Sequence, residues 1–454
     1  MTSCDVAVIG AGVVGCAIAR ELSGYRLDVL VLEARGDVGE GTSKANTAIL
    51  HTGFDATPGT LEARLVRRGQ RLLSEYADRT GIPVERTGAL LVAWTPEEHD
   101  TLPRLRAKAA ANGYPHCELV STDEVYRRVP ALGPGALGGL TVPDESIICP
   151  WTTTLALATD ALARGATFRL QTRVEGVTTG ERTTLRTSGG DIHARWVINA
   201  AGLGADVIDG LFGHRRITVT PRRGELLVYD KLARRLVDVI VLPVPSAAGK
   251  GVLVSPTIYG NVMLGPTAED RTDRADTATS EDGFAFLLSH GARLMPRLLA
   301  EEVTASYAGL RAAIGLRDYA IELDAEQRYV LVGGIRSTGL TSGLAVAEYV
   351  RQLLHEHERL DPRDPLPAPP RMPNLGEAVA RPYQQPQRIA ADPEYGRIVC
   401  FCERVSRGEI RDALASPLPP RDARGLQRRT RALGGRCQGF YCGAEISALL
   451  AGRG

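Results

Sequence analysis

Long apolar runs are missing from this chain. No uninterrupted stretch approaches the roughly 18 residues of a membrane span, so no transmembrane segment is expected. A surplus of one charge sign is missing too: 54 basic residues face 53 acidic ones, a formal net charge of +1. A dedicated nucleic-acid binder carries a basic excess, so no nucleic-acid partner is expected. Aromatic residues make up only 5%, which argues against a surface that stacks bases or sugars. The first strand-like run begins by Asp5, leaving no room for a signal peptide and pointing to the cytoplasm. What is present is an ordinary globular composition, 44% hydrophobic and 24% charged over 454 residues. That length allows about two or three domains. Glycine is plentiful, at 49 residues, as suits an α/β protein whose turns approach a ligand closely.

The eight cysteines divide unevenly. Cys4, Cys16, Cys117 and Cys149 are scattered, whereas Cys400, Cys402, Cys437 and Cys442 lie together near the end. In a reducing cytosol such a tetrad indicates a metal or cluster site before a disulfide framework. Cys400-x-Cys402 and Cys437-x4-Cys442 suit a [2Fe–2S] cluster, with two thiolates per iron. The C-x-C pair is tighter than the usual zinc knuckle, but zinc and plain redox thiols stay open as alternatives.

Six prolines (Pro362, Pro365, Pro367, Pro369, Pro370, Pro373) precede this unit. They forbid a regular helix or central strand and read as a stiff linker. The expected organisation is a unit at 1–360, a linker at 361–395 and a small helical Cys4 unit at 396–454. The last holds 11 arginines against 5 acidic residues. Arg421, Arg424, Arg428, Arg429, Arg431 and Arg436 fall between the cysteine pairs. They either soften the cluster's charge, dock an acidic partner, or form a solvated basic face.

At the other end, Gly10-x-Gly12-x-x-Gly15 sits between an apolar strand at 5–9 and a helix at 16–22. The next strand, at 27–32, ends at Glu33. This context is what a dinucleotide fingerprint requires. Gly10 permits the tight turn, Gly12 lets the backbone approach a pyrophosphate, and Gly15 lets helix and strand pack closely. The helix N-terminus offers free N–H groups to the phosphates, and Glu33 would accept from ribose hydroxyls. A polar, Gly-rich stretch at 39–53 can wrap a pyrophosphate, and the apolar run 196–202 ends in small residues.

These features, with the segments Ser43–Gly53, Val197–Gly202, Pro221–Glu225, Gly260–Thr267, Gly309–Arg311 and Gly334–Thr341, carry a resemblance. The sequence resembles the D-amino-acid-oxidase-like superfamily of FAD-dependent oxidoreductases. Within it, the likeness is to type II glycerol-3-phosphate dehydrogenases and oxidases and L-2-hydroxyglutarate oxidases. The tail resembles the bacterioferritin-associated-ferredoxin [2Fe–2S] domain. The resemblance implies an α/β fold: a Rossmann-like FAD domain (about 1–80, 150–215 and 320–360) interleaved with an antiparallel-sheet substrate domain (about 81–149 and 216–319). It implies FAD contacts at Val13, Val14, Ala34, Thr42, Ser43, Lys44 and Asn46. Further contacts are implied at Val174, Ala201, Gly202 and Gly309, and along Ser337, Thr338, Gly339, Leu340 and Thr341. The stretch 337–341 would bring backbone N–H groups, at a helix start, to the flavin's pyrimidine edge.

Oxidising an alcohol at a flavin needs a base for the hydroxyl proton and an anchor for the substrate's charged end. His51 is the expected base; simple packing on the flavin and a covalent histidyl–flavin bond are the alternatives. Arg311 and Arg336 are anchor candidates, with structural ion pairing as the alternative for each. Lys250 is a weaker anchor, and Arg222 and Arg223 are expected to brace a loop over the site. The other histidines read as solvated.

The expected activity is oxidation of a small anionic alcohol, sn-glycerol 3-phosphate before L-2-hydroxyglutarate or another 2-hydroxy acid, with an amine or imino acid third. A non-catalytic electron-relay subunit is the reading of a different class. A flavin beside a cluster favours a dehydrogenase with an external acceptor, a protein or quinone-linked subunit, over an oxygen-reducing oxidase. A peripheral position at the inner face of the cell membrane is compatible with such a partner.

Overall fold

The computed structural model describes residues 2–245 and 251–452. Lys250 therefore lies outside the described residues. In the strands Thr2–Ile9 and Val29–Leu32, Val6, Ala7, Val8, Val29 and Val31 are fully buried. Strands covered on both faces pair in parallel at the centre of a sheet. Thr2–Ile9 runs parallel to both Val29–Leu32 and Gly190–Asn199, with Ile9 opposite Leu32 on one side and Asn199 on the other. Tyr329–Gly333 joins beyond, with Leu331 opposite Asn199. This register brings the turns after Ile9, Leu32, Asn199 and Gly333 out along one edge. The carboxyl edge of parallel strands is where such sheets bind ligands.

The helix Val13–Leu22 packs against Pro150–Ala163 and Gly339–His355. The helix Leu61–Thr80 also crosses Gly339–His355, at Gly69, where a Cβ would stand 2.3 Å from the Thr341 carbonyl oxygen. Only a residue without a side chain permits that crossing.

A second, mostly antiparallel sheet draws its strands from residues 89–142, 219–270 and 303–314, between stretches that build the first. Its long strands Val219–Tyr229 and Val303–Ile314 pair with Arg222 opposite Arg311 and Gly224 opposite Gly309. The segment 42–46 touches this sheet at Gly309, where a Cβ would lie 2.3 Å from Ala45 O. Thr42 Oγ1 donates to Leu310 O at 2.9 Å and Tyr307 Oη to Asn46 O at 2.9 Å. The mixed α/β architecture expected from the sequence is thus present, and the space between the sheets is the site.

The proline-rich stretch corrects one expectation: it is a strap laid on the first unit rather than a spacer. Arg26 N–H donates to Asp361 O at 2.9 Å, Arg363 N–H to Gly24 O at 2.8 Å, and Met372 N–H to Thr80 O at 2.8 Å. Proline cannot donate, but the residues between the prolines can, and they find carbonyls on the surface beneath. Leu360 and Leu375 bury their side chains along the way.

Beyond the strap, the hairpin Ile398–Cys400 and Val405–Ser406 and three helices, Arg407–Leu414, Ala423–Thr430 and Gly443–Ala451, enclose Val399, Val405, Ile410, Leu426 and Ile446. Ser406 and Glu409 form a capping box at the first of these helices. The arginines correct a second expectation. Arg428 and Arg429 both donate to Asp37 Oδ2 at 2.7 Å, Arg431 pairs with Glu403 at 3.4 Å, and Arg436 with Asp230 at 2.9 Å. Arg428, Arg429 and Arg431 are buried against acidic partners of this chain, so a solvated basic face does not describe them, whereas Arg436 stays exposed beside Asp230. Arg421 and Arg424 alone of the six keep their exposure without such an ion pair among the described residues. No helix among the described residues is long and apolar enough to cross a membrane.

Candidate active site and cluster site

A cavity of about 1050 Å³ opens at the carboxyl edge of the first sheet and runs under the second. Its entrance is built by the glycine turn. Gly10 has φ +105°, and a Cβ there would meet Ala200 O at 2.5 Å; one on Gly15 would meet Gly10 O at 1.9 Å. Ser43 Oγ accepts from Val13 N–H at 3.0 Å, and Glu33 Oε2 accepts from Ala11 N–H at 2.8 Å. The cradle thus holds a helix N-terminus, a bare glycine backbone and a carboxylate, the donor and acceptor set a dinucleotide needs. The volume reaches the upper end of ordinary ligand sites, about 300–1000 Å³.

Of the residues the resemblance assigns to FAD, all but Gly15, Lys44, Thr338 and Thr341 line this cavity. Those four sit one layer behind it. Gly15 serves the helix–strand crossing, and the Lys44 carbonyl accepts from Trp151 Nε1 at 3.0 Å. Burial, then the nearby Arg428 charge, holds the Lys44 ammonium below its ordinary range. Thr338 Oγ1 donates to Glu62 Oε1 at 3.0 Å, and Thr341 Oγ1 accepts from the His51 N–H at 3.0 Å. The helix start expected at 337–341 is present, as the helix Gly339–His355.

His51 lines the cavity. The short strand Ile49–Leu50 pairs with Ser146–Ile148, Leu50 opposite Ser146, which sets Glu145 beside His51. Glu145 is almost wholly buried. Its Oε2 lies 3.2 Å from His51 Nδ1, while Oε1 accepts from Thr52 N–H at 2.7 Å and Thr52 Oγ1 at 2.9 Å. A carboxylate only accepts, so Nδ1 carries the ring proton and Nε2 is left as the ring's basic atom. Nothing in the sequence around Asp144-Glu145 pointed to this; the pairing comes from residues far apart in the chain.

The two arginine candidates separate. Both line the cavity. Arg336 Nη2 donates to Glu62 Oε2 at 2.5 Å and to Arg317 O at 3.0 Å, the ion-paired alternative. Arg311 Nη2 donates to Thr267 O at 2.7 Å and has no salt bridge among the described residues. Burial, then the facing Arg222 charge, lowers its pKa, with Asp270 opposing. Arg222 is itself neutralised by Asp270 at 2.6 Å, and Arg223 by Glu269, also at 2.6 Å. Both brace the 269–276 segment, as expected. Two histidines read as solvated are placed otherwise: His290 lines the cavity and His214 stacks on Tyr329.

In the C-terminal unit the thiols neighbour one another, Cys402 beside Cys437 and Cys400 beside Cys442. The N–H of Tyr441, with those of Gly439 and Phe440, points at Cys437 and lowers its pKa. Burial pushes Cys442 up to about 11. Among the described residues no three His, Cys, Asp or Glu side chains converge as a single ion would need. Two thiol pairs supply the two ligands per iron that a [2Fe–2S] cluster takes.

Residues 5–353 match the FAD dependent oxidoreductase (DAO) family, and residues 398–452 match the BFD-like [2Fe-2S] binding domain. The chain is 35% identical to a glycerol 3-phosphate dehydrogenase of Caloramator mitchellensis, over 98% of this chain and 94% of that one. It is 30% identical to the mitochondrial L-2-hydroxyglutarate dehydrogenase of Caenorhabditis elegans, over 58% of this chain and 63% of the other. Among solved structures, the dithionite-reduced L-alpha-glycerophosphate oxidase of Mycoplasma pneumoniae with FAD bound matches with a TM-score of 0.78 at 29% identity. It covers 82% of this chain and all (100%) of its own. Fold, cavity and thiol pairs together define a flavin-dependent oxidoreductase with an appended iron–sulfur unit. The chain belongs to the FAD-dependent oxidoreductase (DAO) family, and its cofactors are FAD and a [2Fe–2S] cluster.

Proposed function

We propose that the chain is a dehydrogenase oxidising sn-glycerol 3-phosphate to dihydroxyacetone phosphate, with electrons leaving through its cluster to an external one-electron acceptor. Residues 1–360 are assigned to the oxidoreductase unit, 361–395 to the strap and 396–454 to the cluster unit. The carrying observation is Arg311: a half-buried cation on the cavity wall that makes no salt bridge among the described residues, Asp270 acting on it only at longer range while pairing with Arg222. A charge partly withdrawn from water gains most from a partner at hydrogen-bond distance, which fits an anion that the substrate brings. The likeness to the Caloramator glycerol 3-phosphate dehydrogenase, which runs through both units, favours a phosphate ester over a carboxylate.

FAD, when bound, supplies the two-electron acceptor, and the cluster supplies a one-electron outlet. Arg311 takes the substrate's phosphate as a fork of two N–H donors. His51 Nε2 accepts the hydroxyl proton as the alcohol becomes a ketone. Glu145 keeps the ring oriented through Nδ1 and stabilises the imidazolium that results. The Thr341 hydroxyl, bonded to the His51 N–H, ties the base to the helix Gly339–His355. Phe401, Phe440 and Tyr441, set between the cluster thiols in sequence, are 71%, 83% and 73% exposed, which supports approach by an external acceptor, a protein or a quinone-linked subunit.

Anaerobic stopped-flow mixing with a substrate panel tests this. sn-Glycerol 3-phosphate is expected to bleach the flavin absorbance near 450 nm (approximately) well ahead of L-2-hydroxyglutarate, glycerol and proline-like amines. Bleaching by amines, or by a 2-hydroxy acid alone, overturns the assignment.

A further inference from the structure

The seam between the two units holds an aromatic stack, Tyr259 buried and Trp151 half-buried, with no part in the chemistry above. Trp151 donates from Nε1 to Lys44 O, directly behind the cavity wall formed by Ser43, Ala45 and Asn46. Its ring stacks on Tyr259, with centroids 5.1 Å apart and planes 28° apart. The Arg431 guanidinium covers both rings, 4.3 Å from the Tyr259 centroid and 5.5 Å from that of Trp151. The same guanidinium meets both Glu403 oxygens at 3.4 Å, and Glu403 directly follows Cys402. Lys231 Nζ, in the short helix Lys231–Leu236 that follows the strand Val219–Tyr229, reaches Glu403 at 3.2 Å. Tyr259 is fixed in turn by Cys149, Sγ to Oη at 3.2 Å.

Two features single out Arg431 among the buried seam arginines. Besides its carboxylate it has two aromatic faces in place of water. Its φ is +74°, a left-handed conformation at a helix end where glycine is the ordinary choice. The backbone strain of that position is offset here by the contacts its side chain makes. These contacts join the loop of a cluster thiol to an aromatic pair that backs the flavin cradle.

Resting on the two-cofactor reading above, we propose that Trp151, Tyr259 and Arg431 form the bridge by which electrons cross from the flavin cavity to the cluster unit. Oxidation of one alcohol releases two electrons and two protons. The electrons cross one at a time, the first leaving to the external one-electron acceptor before the second follows, and the protons go to solvent. No bond in the bridge forms or breaks, and its residues keep their own electrons. They contribute close-packed atoms where a gap would otherwise hold water. Arg431 is a positioning residue: it holds the Cys402–Glu403 turn against the ring pair.

The test uses the holoenzyme without oxygen, mixed with sn-glycerol 3-phosphate and freeze-quenched. Flavin absorbance and the EPR signal of the reduced cluster are followed together, the latter scaled to the signal dithionite elicits. Scaling keeps a variant informative even where part of its cluster is lost. In Arg431→Gln and Tyr259→Leu, flavin bleaching is expected within about twofold of the unmodified enzyme, the dithionite-reduced spectrum unchanged, and cluster reduction slower by on the order of tenfold. Arg431→Lys, which keeps the charge without the planar fork, recovers part of the rate. Cluster reduction at the unmodified rate in both Arg431→Gln and Tyr259→Leu overturns the bridge. If glycerol 3-phosphate fails to bleach even the unmodified enzyme, the substrate assignment falls instead, and photoreduction of the flavin reads the same bridge rates.

Discussion

Arginines withdrawn wholly or partly from water occur in two regions of this molecule, in opposite company. At the seam, Arg428 and Arg429 share Asp37, and Arg431 meets Glu403. In the cavity wall, Arg311 has a backbone carbonyl and a like-charged neighbour across the strand pair, and the nearby Asp270 is bonded to that neighbour instead. Where the chain supplies its own counter-ion, the charge serves assembly. Where it does not, the charge is kept for a ligand. Arg336 shows that location alone is not enough: it lines the cavity, yet Glu62 has already neutralised it.

The contrast can be broken in order of expected effect. Arg311→Leu removes the unneutralised cation and should lower kcat/KM for glycerol 3-phosphate by about a thousandfold, mostly through KM, in steady-state assays. A loss below about tenfold would place the anchor elsewhere. At the seam, Asp37→Asn leaves two buried guanidinium groups without their carboxylate and should cost about 3 kcal/mol or more in denaturant melts. Burial alone would raise the Asp37 carboxyl, but the hydrogen bonds and charges of Arg429 and Arg428 hold it below its ordinary value of 3.8. Its stabilisation is therefore complete above that value and is lost as pH falls through the lower folded one. Melts of the two proteins should differ at neutral pH and converge in acid; a gap that stays constant with pH contradicts the pairing. Next, Glu145→Gln keeps the shape of the His51 partner but not its charge. It should reduce kcat about 10- to 100-fold while leaving KM within about threefold. An unchanged kcat would make Glu145 a bystander. The smallest effect belongs to Arg336→Met, expected to change kcat/KM less than about threefold. A loss matching that of Arg311→Leu would reverse the roles of the two arginines.

Local pattern made much of this legible from the sequence. The glycine turn, Glu33 and the thiol spacing each occupy a short stretch whose chemistry is self-contained. Sheet register then carried Gly10, Ala200 and Gly334 to one edge, as parallel strands require. What stayed hidden depends on partners distant in the chain. Glu145 gains its meaning only from strand pairing with Ile49–Leu50, and Trp151 and Tyr259 only from contact with Arg431. The arginine-rich tail misled for the same reason: composition counts charges but does not show which way they face. The prolines were read correctly as breakers of regular structure, but a segment without regular structure can still be hydrogen-bonded along its length.

The most direct measurement of what Arg311 is for compares two substrates in two proteins. The ratio of kcat/KM for sn-glycerol 3-phosphate to that for glycerol, which lacks only the phosphate, should be large in the unmodified enzyme and collapse towards unity in Arg311→Leu. A preference for the phosphate that survives the substitution intact would contradict the claim that this cation receives the substrate's charge.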